Sequence, residues 1–282
     1  MANIITAIIN LIRSPKYELM EYSRNHNRAN AVGDAMEEYV KDLFSDTVSE
    51  KDEKVRMSKI SNTFSYLGNT HNPPDAILAC GDAIEVKKIE SDDSILPLNS
   101  SYPKQRLYSD SPMITESCRC CEDWNVKDII YAVGVTDEER VTSLALVYGT
   151  EYCAVKEVYE RIKGTIREGV NSIPGVRFAE TAELGRVNKV DPLGITNLRI
   201  RGMWTIDNPF KVFSYIYKKN PRDRFSFMAV IGKEKYESFE NRAELEGMCD
   251  IYKELKIEDS QVKNPDNPAK LIDVKLVTFS VK

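Results

Sequence analysis

From Pro73 to Lys87 the chain reads Pro-Pro-Asp-Ala-Ile-Leu-Ala-Cys-Gly-Asp-Ala-Ile-Glu-Val-Lys, and this run narrows the choice of fold more than any other. Two prolines set an extended entry and lack the N–H groups that mid-sheet pairing needs. Ala76 to Ala79 then reads as a short strand, Cys80-Gly81-Asp82 as a turn, and Ala83 to Ile89 as a second strand. Side chains alternate along a strand, so Glu85 and Lys87 share one face and Val86 takes the other. Such a hairpin needs a core on the Val86 side and a cleft on the charged side. If the loop is the odd-numbered Cys80-Gly81-Asp82, Asp75 falls opposite Lys87 on the charged face; an even-numbered loop turns it away.

The surrounding pattern supplies the rest of a sheet. Arg28 to Phe44 reads as a helix, with Val32, Ala35, Met36, Tyr39, Val40 and Leu43 in one apolar stripe and Asn27 or Asn30 at its start. Lys51 to Lys59 is charged and reads as solvated, and Glu90 to Trp124 is polar, proline-bearing and reads mostly as loop. Ile129 to Val135 and Val141 to Tyr148 are β-rich, and Val155 to Ile166 has helical spacing. Thr196 to Ile206, Phe225 to Ile231 and Leu271 to Val281 read as strands, with a helix over Glu237 to Leu255. This order predicts an α/β (α+β) fold with a mixed central β-sheet flanked by helices. No internal repeat or linker divides the 282 residues, so one domain is expected.

Composition excludes some classes. The apolar stretch Ile4 to Ile12 is far shorter than the ~20 residues of a membrane span and has no basic leader, so it reads as an amphipathic first helix. A cytoplasmic protein with reduced thiols and no membrane partner is expected. The spacing of Cys118, Cys120 and Cys121 does not match paired zinc ligands, only His26 and His71 could add imidazole, and partly buried thiols are the plainer reading. A net charge of −5 is unhelpful for binding nucleic acid, but binding requires a local basic face, not a basic protein.

Two carboxylates brought together repel, and a divalent cation removes that cost. Oxygen ligands with a partly hydrated shell suit Mg2+, which makes Asp75, Glu85 and the main chain of Val86 the expected ligand set. Lys87 would hold or polarise the attacking water, or stabilise a pentavalent phosphate. Glu37, beside the apolar stripe of its helix, is a further candidate, with Glu38 as competitor. The same spacing recurs at Pro265-Asp266 and Asp273-Val274-Lys275, where it reads as a loop and a solvated strand edge. The simpler alternative for Asp75, Glu85 and Lys87 is a surface hairpin with scattered charges.

Pro74-Asp75…Glu85-Val86-Lys87 resembles the PD-(D/E)XK nuclease superfamily, although the spacing between Asp75 and Glu85 is short for it. Leu98-Asn-Ser-Ser-Tyr-Pro-Lys104 and Cys118-Arg-Cys-Cys-Glu-Asp-Trp124, with Lys127-Asp-Ile-Ile-Tyr131, are similar to the NgoPII-type restriction endonucleases. That resemblance implies a type II restriction enzyme of a bacterial cytoplasm, a homodimer that cuts double-stranded DNA at a palindrome, GGCC for this family. It assigns catalysis to Asp75, Glu85, Lys87 and Glu37, and it implies a methyltransferase in the same system that is not a binding partner. The catalytic core is expected over about 28–166, with recognition elements at about 90–125 and 180–225.

Arginine is the usual reader of guanine in the major groove. Arg199 and Arg201 share a strand face, with Asn197 and Arg186 nearby, and are the candidates for base contact; a solvated basic face is the alternative. Phosphate contacts are expected from Ser100, Ser101, Lys104 and Lys88, and also from Arg106, Lys211, Lys218, Lys219 and Arg222. Two competing functions remain: a repair or recombination nuclease with the same core and no palindrome, and a DNA-binding module without catalysis.

Overall fold

The computed structural model describes residues 1–19, 32–69, 72–138, 140–174, 183–193 and 195–282. Among the described residues the first helices are α1 (Ile4–Arg13), α2 (Val32–Ser45) and α3 (Glu53–Thr63). Strands β1 (Phe64–Asn69), β2 (Asn72–Leu78) and β3 (Ala83–Ile89) follow as an antiparallel meander. Next come β4 (Ile95–Asn99), β5 (Arg106–Tyr108), β6 (Val126–Asp137) and β7 (Arg140–Tyr148), then α4 (Lys156–Asn171). The second half holds β8 (Gly185–Val187), β9 (Leu198–Ile200), β10 (Trp204–Asp207), β11 (Phe225–Gly232), α5 (Lys233–Glu237), α6 (Arg242–Met248), β12 (Lys256–Lys263) and β13 (Leu271–Val281).

The main sheet is nine-stranded in the order β1-β2-β3-β6-β7-β11-β13-β12, with β5 paired to β6. It is mixed: β3 runs parallel to β6 and β7 parallel to β11, and the other pairs are antiparallel. One face carries α1, α2, α5 and α6 over Ile84, Val86, Ile130, Ala132 and Leu146. The other face packs Leu96, Leu107 and Phe213 over Ile77, Tyr131, Val133 and Val147. A mixed sheet flanked by helices is therefore what the chain forms. No helix among the described residues is long and apolar enough to cross a membrane.

Several elements differ from expectation for identifiable reasons. Helix α1 is buried nearly all round, not along one stripe, because α2 and α6 both pack on it. The predicted helix over Glu237–Leu255 is shortened to α6, which begins at Arg242 and ends at Met248, while α5 ends at Glu237. The Asn241 amide is committed to Asn3 Oδ1 and Thr6 Oγ1 at the start of α1, so the chain turns there to dock. The predicted strand Thr196–Ile206 divides between β9, which pairs β8, and β10, which pairs β4. Thus the segment read as loop contains an alternating strand, with Leu96 and Leu98 buried between exposed Ile95, Pro97 and Asn99. The helix expected from Val155 is present as α4, but its stripe faces outward: Val158, Ile162 and Ile166 are 40%, 39% and 45% exposed. The second motif match does not lie on a sheet edge. Val274 is buried on β13, an internal strand covered by β12. Arg28 to Asn30, Asn27, His26 and His71 lie outside the described residues.

The charged segment before β1 is helical, and it hides one cation. Arg56 of α3 is buried and bonds Asp42 of α2 at 2.7 Å, Glu53 at 2.9 Å and Glu38 at 2.5 Å. Asp42 is itself fully buried and also accepts from the Thr47 hydroxyl at 2.5 Å. Removing one member of such a group strands the others without water. Arg56→Met should cost about 3–5 kcal/mol of unfolding free energy, measured by urea denaturation; a loss below about 1 kcal/mol would place the pair among solvated surface bridges.

Glu151, in the helical turn Gly149–Tyr152 after β7, is buried with a hydrogen bond from Thr150 at 2.8 Å. Burial raises its pKa from 4.5 to about 7, Asp128 adds to the rise, and Thr150 and Arg106 oppose it. The folded chain thus holds this proton more tightly than the unfolded one. The associated stability is full below about 4.5 and is lost as pH rises to about 7. Glu151→Gln should therefore match the parent in acid and exceed it by roughly 2 kcal/mol in mild alkali, as read by melting at the two pH values. Equal melting in alkali would mean the carboxyl is solvated.

Candidate functional site

Strand β3 is internal, bonded to β2 on one side and β6 on the other, so its backbone is fixed. Ile84 and Val86 turn into the helix-covered core, and Glu85 and Lys87 face the opposite side. The β2–β3 ladder pairs Ala76 with Ile84 and Ile77 with Ala83. Extending that register sets Asp75 across from Glu85, two residues from the predicted partner Lys87, because the turn of unchanged length sits one position earlier, on Ala79-Cys80-Gly81, with Leu78 N–H donating to Asp82 O at 3.0 Å. Parity is unchanged, so all three side chains share one face. The prolines lie within β2, not before it. Pairing with β1 shifts between Leu67 and Asn69, and this irregular stretch accommodates two residues that lack N–H groups.

Asp75, Glu85 and Lys87 line one cleft of about 160 Å3, walled by Asn72, Pro73, Met113 and the segment Pro97 to Ser101. Asp75 Oδ2 accepts the Val86 N–H at 2.6 Å. Lys87 Nζ lies 2.6 Å from Glu85 Oε1. Among the described residues Glu85 Oε2 is buried without a hydrogen-bond partner. Burial first, and the facing Glu85 second, push the Asp75 carboxyl up to about 7. For Lys87 burial works against the charge, but Glu85 and Asp75 outweigh it and its pKa is raised. Two facing carboxylates, one with an orphaned oxygen, are a donor set that fits a hard divalent cation. Among the described residues no group of three or more His, Cys, Asp or Glu side chains is placed to hold a metal ion, so the protein side chains at the site are two carboxylates.

The other predicted residues distribute unevenly. Glu37 of α2 is partly buried and interacts electrostatically with Lys87 and Asp75, but it does not line the cleft; burial raises its pKa, with Lys41 opposing. Its competitor Glu38 is tied to Lys41 at 2.8 Å and to Arg56. Ser100 and Ser101 line the cleft, and Lys104 Nζ donates to Ser101 Oγ. Lys88 alternates onto the face of Val86 and pairs with Glu90 at 3.3 Å. Arg186 and Arg199 are register partners in the separate β8–β9 ribbon. Arg199 and Arg201 both bond Glu183, at 2.8 and 2.6 Å, and Asn197 Oδ1 accepts the Lys189 N–H at 3.3 Å. None of these four lines the cleft. Cys118 is buried and Cys120 exposed, and burial pushes the Cys118 thiol up to about 12.

Sequence reasoning missed Tyr131, the β6 register partner of Glu85, and the cleft wall made by β4. The alternation in Ile95-Leu-Pro-Leu-Asn99 was a readable signal for β4, masked by Pro97. Nothing local marks Tyr131, since it joins the site through strand order alone.

No solved structure matches this chain. The model of the NgoPII restriction endonuclease family matches residues 2–263. A relative from Neisseria gonorrhoeae, the type II restriction enzyme NgoPII, is 53% identical over 278 residues, covering 98% of this chain and 99% of that one. With a full-length relative at that identity and a family match across most of its length, the chain belongs to the NgoPII restriction endonuclease family.

Proposed function

We propose that this chain is a type II restriction endonuclease that hydrolyses a phosphodiester in each strand of double-stranded DNA at a short palindrome, GGCC by family. The observation that carries the site assignment is the cleft holding Asp75, Glu85 and Lys87 together, with Glu85 Oε2 unpartnered. Restriction enzymes of type II use a divalent metal ion; Asp75, Glu85 and the Val86 main chain would hold it here, and oxygen ligands of this kind suit Mg2+. Such a cation supplies charge neutralisation, a more acidic water and compensation for the leaving oxygen.

The protein's own groups supply the rest. The Val86 amide holds the Asp75 carboxylate in place. Glu85 holds the Lys87 ammonium beside the cleft, where it orients the attacking water and stabilises charge on phosphate. The water oxygen bonds phosphorus, one ester bond breaks, and the leaving oxygen takes a proton. Glu37 adds a nearby negative charge that acts on Lys87 and Asp75. Base reading falls to Arg199, Arg201, Arg186 and Asn197, and phosphate contact to Ser100, Ser101, Lys104 and Lys88. A two-fold palindrome is matched by a homodimer, each copy one nuclease domain with its catalytic core at about 28–166 and recognition elements at about 90–125 and 180–225. The setting is a bacterial cytoplasm in which a methyltransferase protects the host sites.

Digestion of a fully sequenced plasmid with Mg2+, against an EDTA control, should give discrete fragments whose ends map to GGCC. Random degradation or end trimming would point to a repair-type nuclease instead. Asp75→Ala and Lys87→Ala should each abolish cleavage while the folded variants still retard a GGCC duplex in a gel. Full activity in either would sink the site assignment.

A further inference from the structure

The turn after β4 carries a buried lysine that the scheme above uses only as one of several phosphate contacts. Lys104 is 9% exposed, and its Nζ donates to Ser101 Oγ and, at 3.5 Å, to the Tyr102 carbonyl. Among the described residues no carboxylate pairs with it. The charged groups that act on it most are Glu85 and Lys87, the pair in the cleft. Burial lowers its pKa, the expected direction for a cation without a counter-ion.

Its position is fixed from two sides. Tyr131, the strand neighbour of Glu85, accepts the Lys104 N–H at 2.7 Å and donates to the Lys104 carbonyl at 3.1 Å. Opposite, a Cβ on Gly149 would lie 2.4 Å from the Lys104 carbonyl oxygen and 2.5 Å from that of Gln105, so only glycine admits this approach. The backbone of Lys104 is thereby clamped to β6, the neighbour of the strand that carries Glu85 and Lys87.

An ammonium has donors and no acceptor. Ser101 Oγ therefore accepts from Lys104, and its own proton is free to be given elsewhere. Ser101 lines the cleft together with Glu85 and Lys87. We propose that Lys104 is a positioning residue for the DNA phosphate that enters this cleft: it aims the Ser101 hydroxyl at a phosphate oxygen and places its counter-charge behind it. The inference rests on the nuclease reading and adds how the phosphate is held.

The test is affinity for a GGCC duplex measured in EDTA across a series of salt concentrations. Lys104→Met keeps length and removes charge. It should weaken binding about ten-fold and reduce the slope of log affinity against log salt by about 0.9. Ser101→Ala should also weaken binding about ten-fold with the slope unchanged, and the double variant should bind no worse than Lys104→Met. A purely structural role for Lys104 would leave the slope alone. A parental slope in folded Lys104→Met, or parental affinity in Ser101→Ala, overturns the proposal, and the second result decides even if Lys104→Met does not fold. A parent protein that binds the duplex but cuts no DNA with Mg2+ would sink the nuclease reading without touching this slope.

Discussion

The hydrogen bond from the Val86 amide to Asp75 is the contact on which the cleft depends. The β2–β3 ladder stops at Ala76 and Ile84, and past that point the prolines offer no N–H to continue it. Asp75 takes over with its side chain, receiving an amide proton that a main-chain carbonyl would otherwise accept. A carboxylate that should be repelled by Glu85 is thereby pinned across from it. The high proton affinity of Asp75 and the idle Glu85 oxygen record this enforced proximity. The local rule of like charges apart is broken where the surrounding sheet is rigid enough to insist.

That rigidity comes from both layers. Beneath the sheet, Met36 of α2 fills the space that a Cβ on Gly134 would occupy, which seats the helix directly on β6. The same helix places Glu37 near the end of β3. Above the sheet, β4 and its turn wall the cleft and are held in turn by Asn208, whose amide donates to the carbonyls of Asp92 and Ser94 at 2.6 and 2.7 Å. The recognition candidates are built differently. Arg186, Arg199 and Arg201 sit on a ribbon outside the main sheet, where Glu183 holds two of the guanidiniums together.

What was legible in the sequence follows the range of the interactions involved. Glu85, Val86 and Lys87 were readable because alternation along one strand is a local property. β7 was readable as a strand, though not by face, from its β-branched and aromatic content. The register was not, because Asp75 is set against Glu85 by the closure of a turn that spacing alone leaves open. Tyr131 and Lys104 were beyond reach together, since they meet only when β6 lies beside β3. Asn241 looked like a residue inside a helix, and it is instead the residue before α6, bonded to the start of α1 more than two hundred positions earlier. Glu38 and Glu37 were indistinguishable until Arg56 claimed one of them.

The outermost strand has a consequence for how the molecule behaves among its own copies. β12 shields β13, and among the described residues no strand pairs its far side, which is where one sheet can add another chain's strand. Its sequence Lys-Ile-Glu-Asp-Ser-Gln-Val-Lys puts charge at both ends and in the middle, and Asp259 is flanked by Lys233 and Lys275 at 3.2 and 3.1 Å. An incoming strand would have to dehydrate those groups to zip against this border. The charge row therefore acts as a guard against edge-to-edge polymerisation, and it keeps a long, otherwise strongly apolar sheet finite.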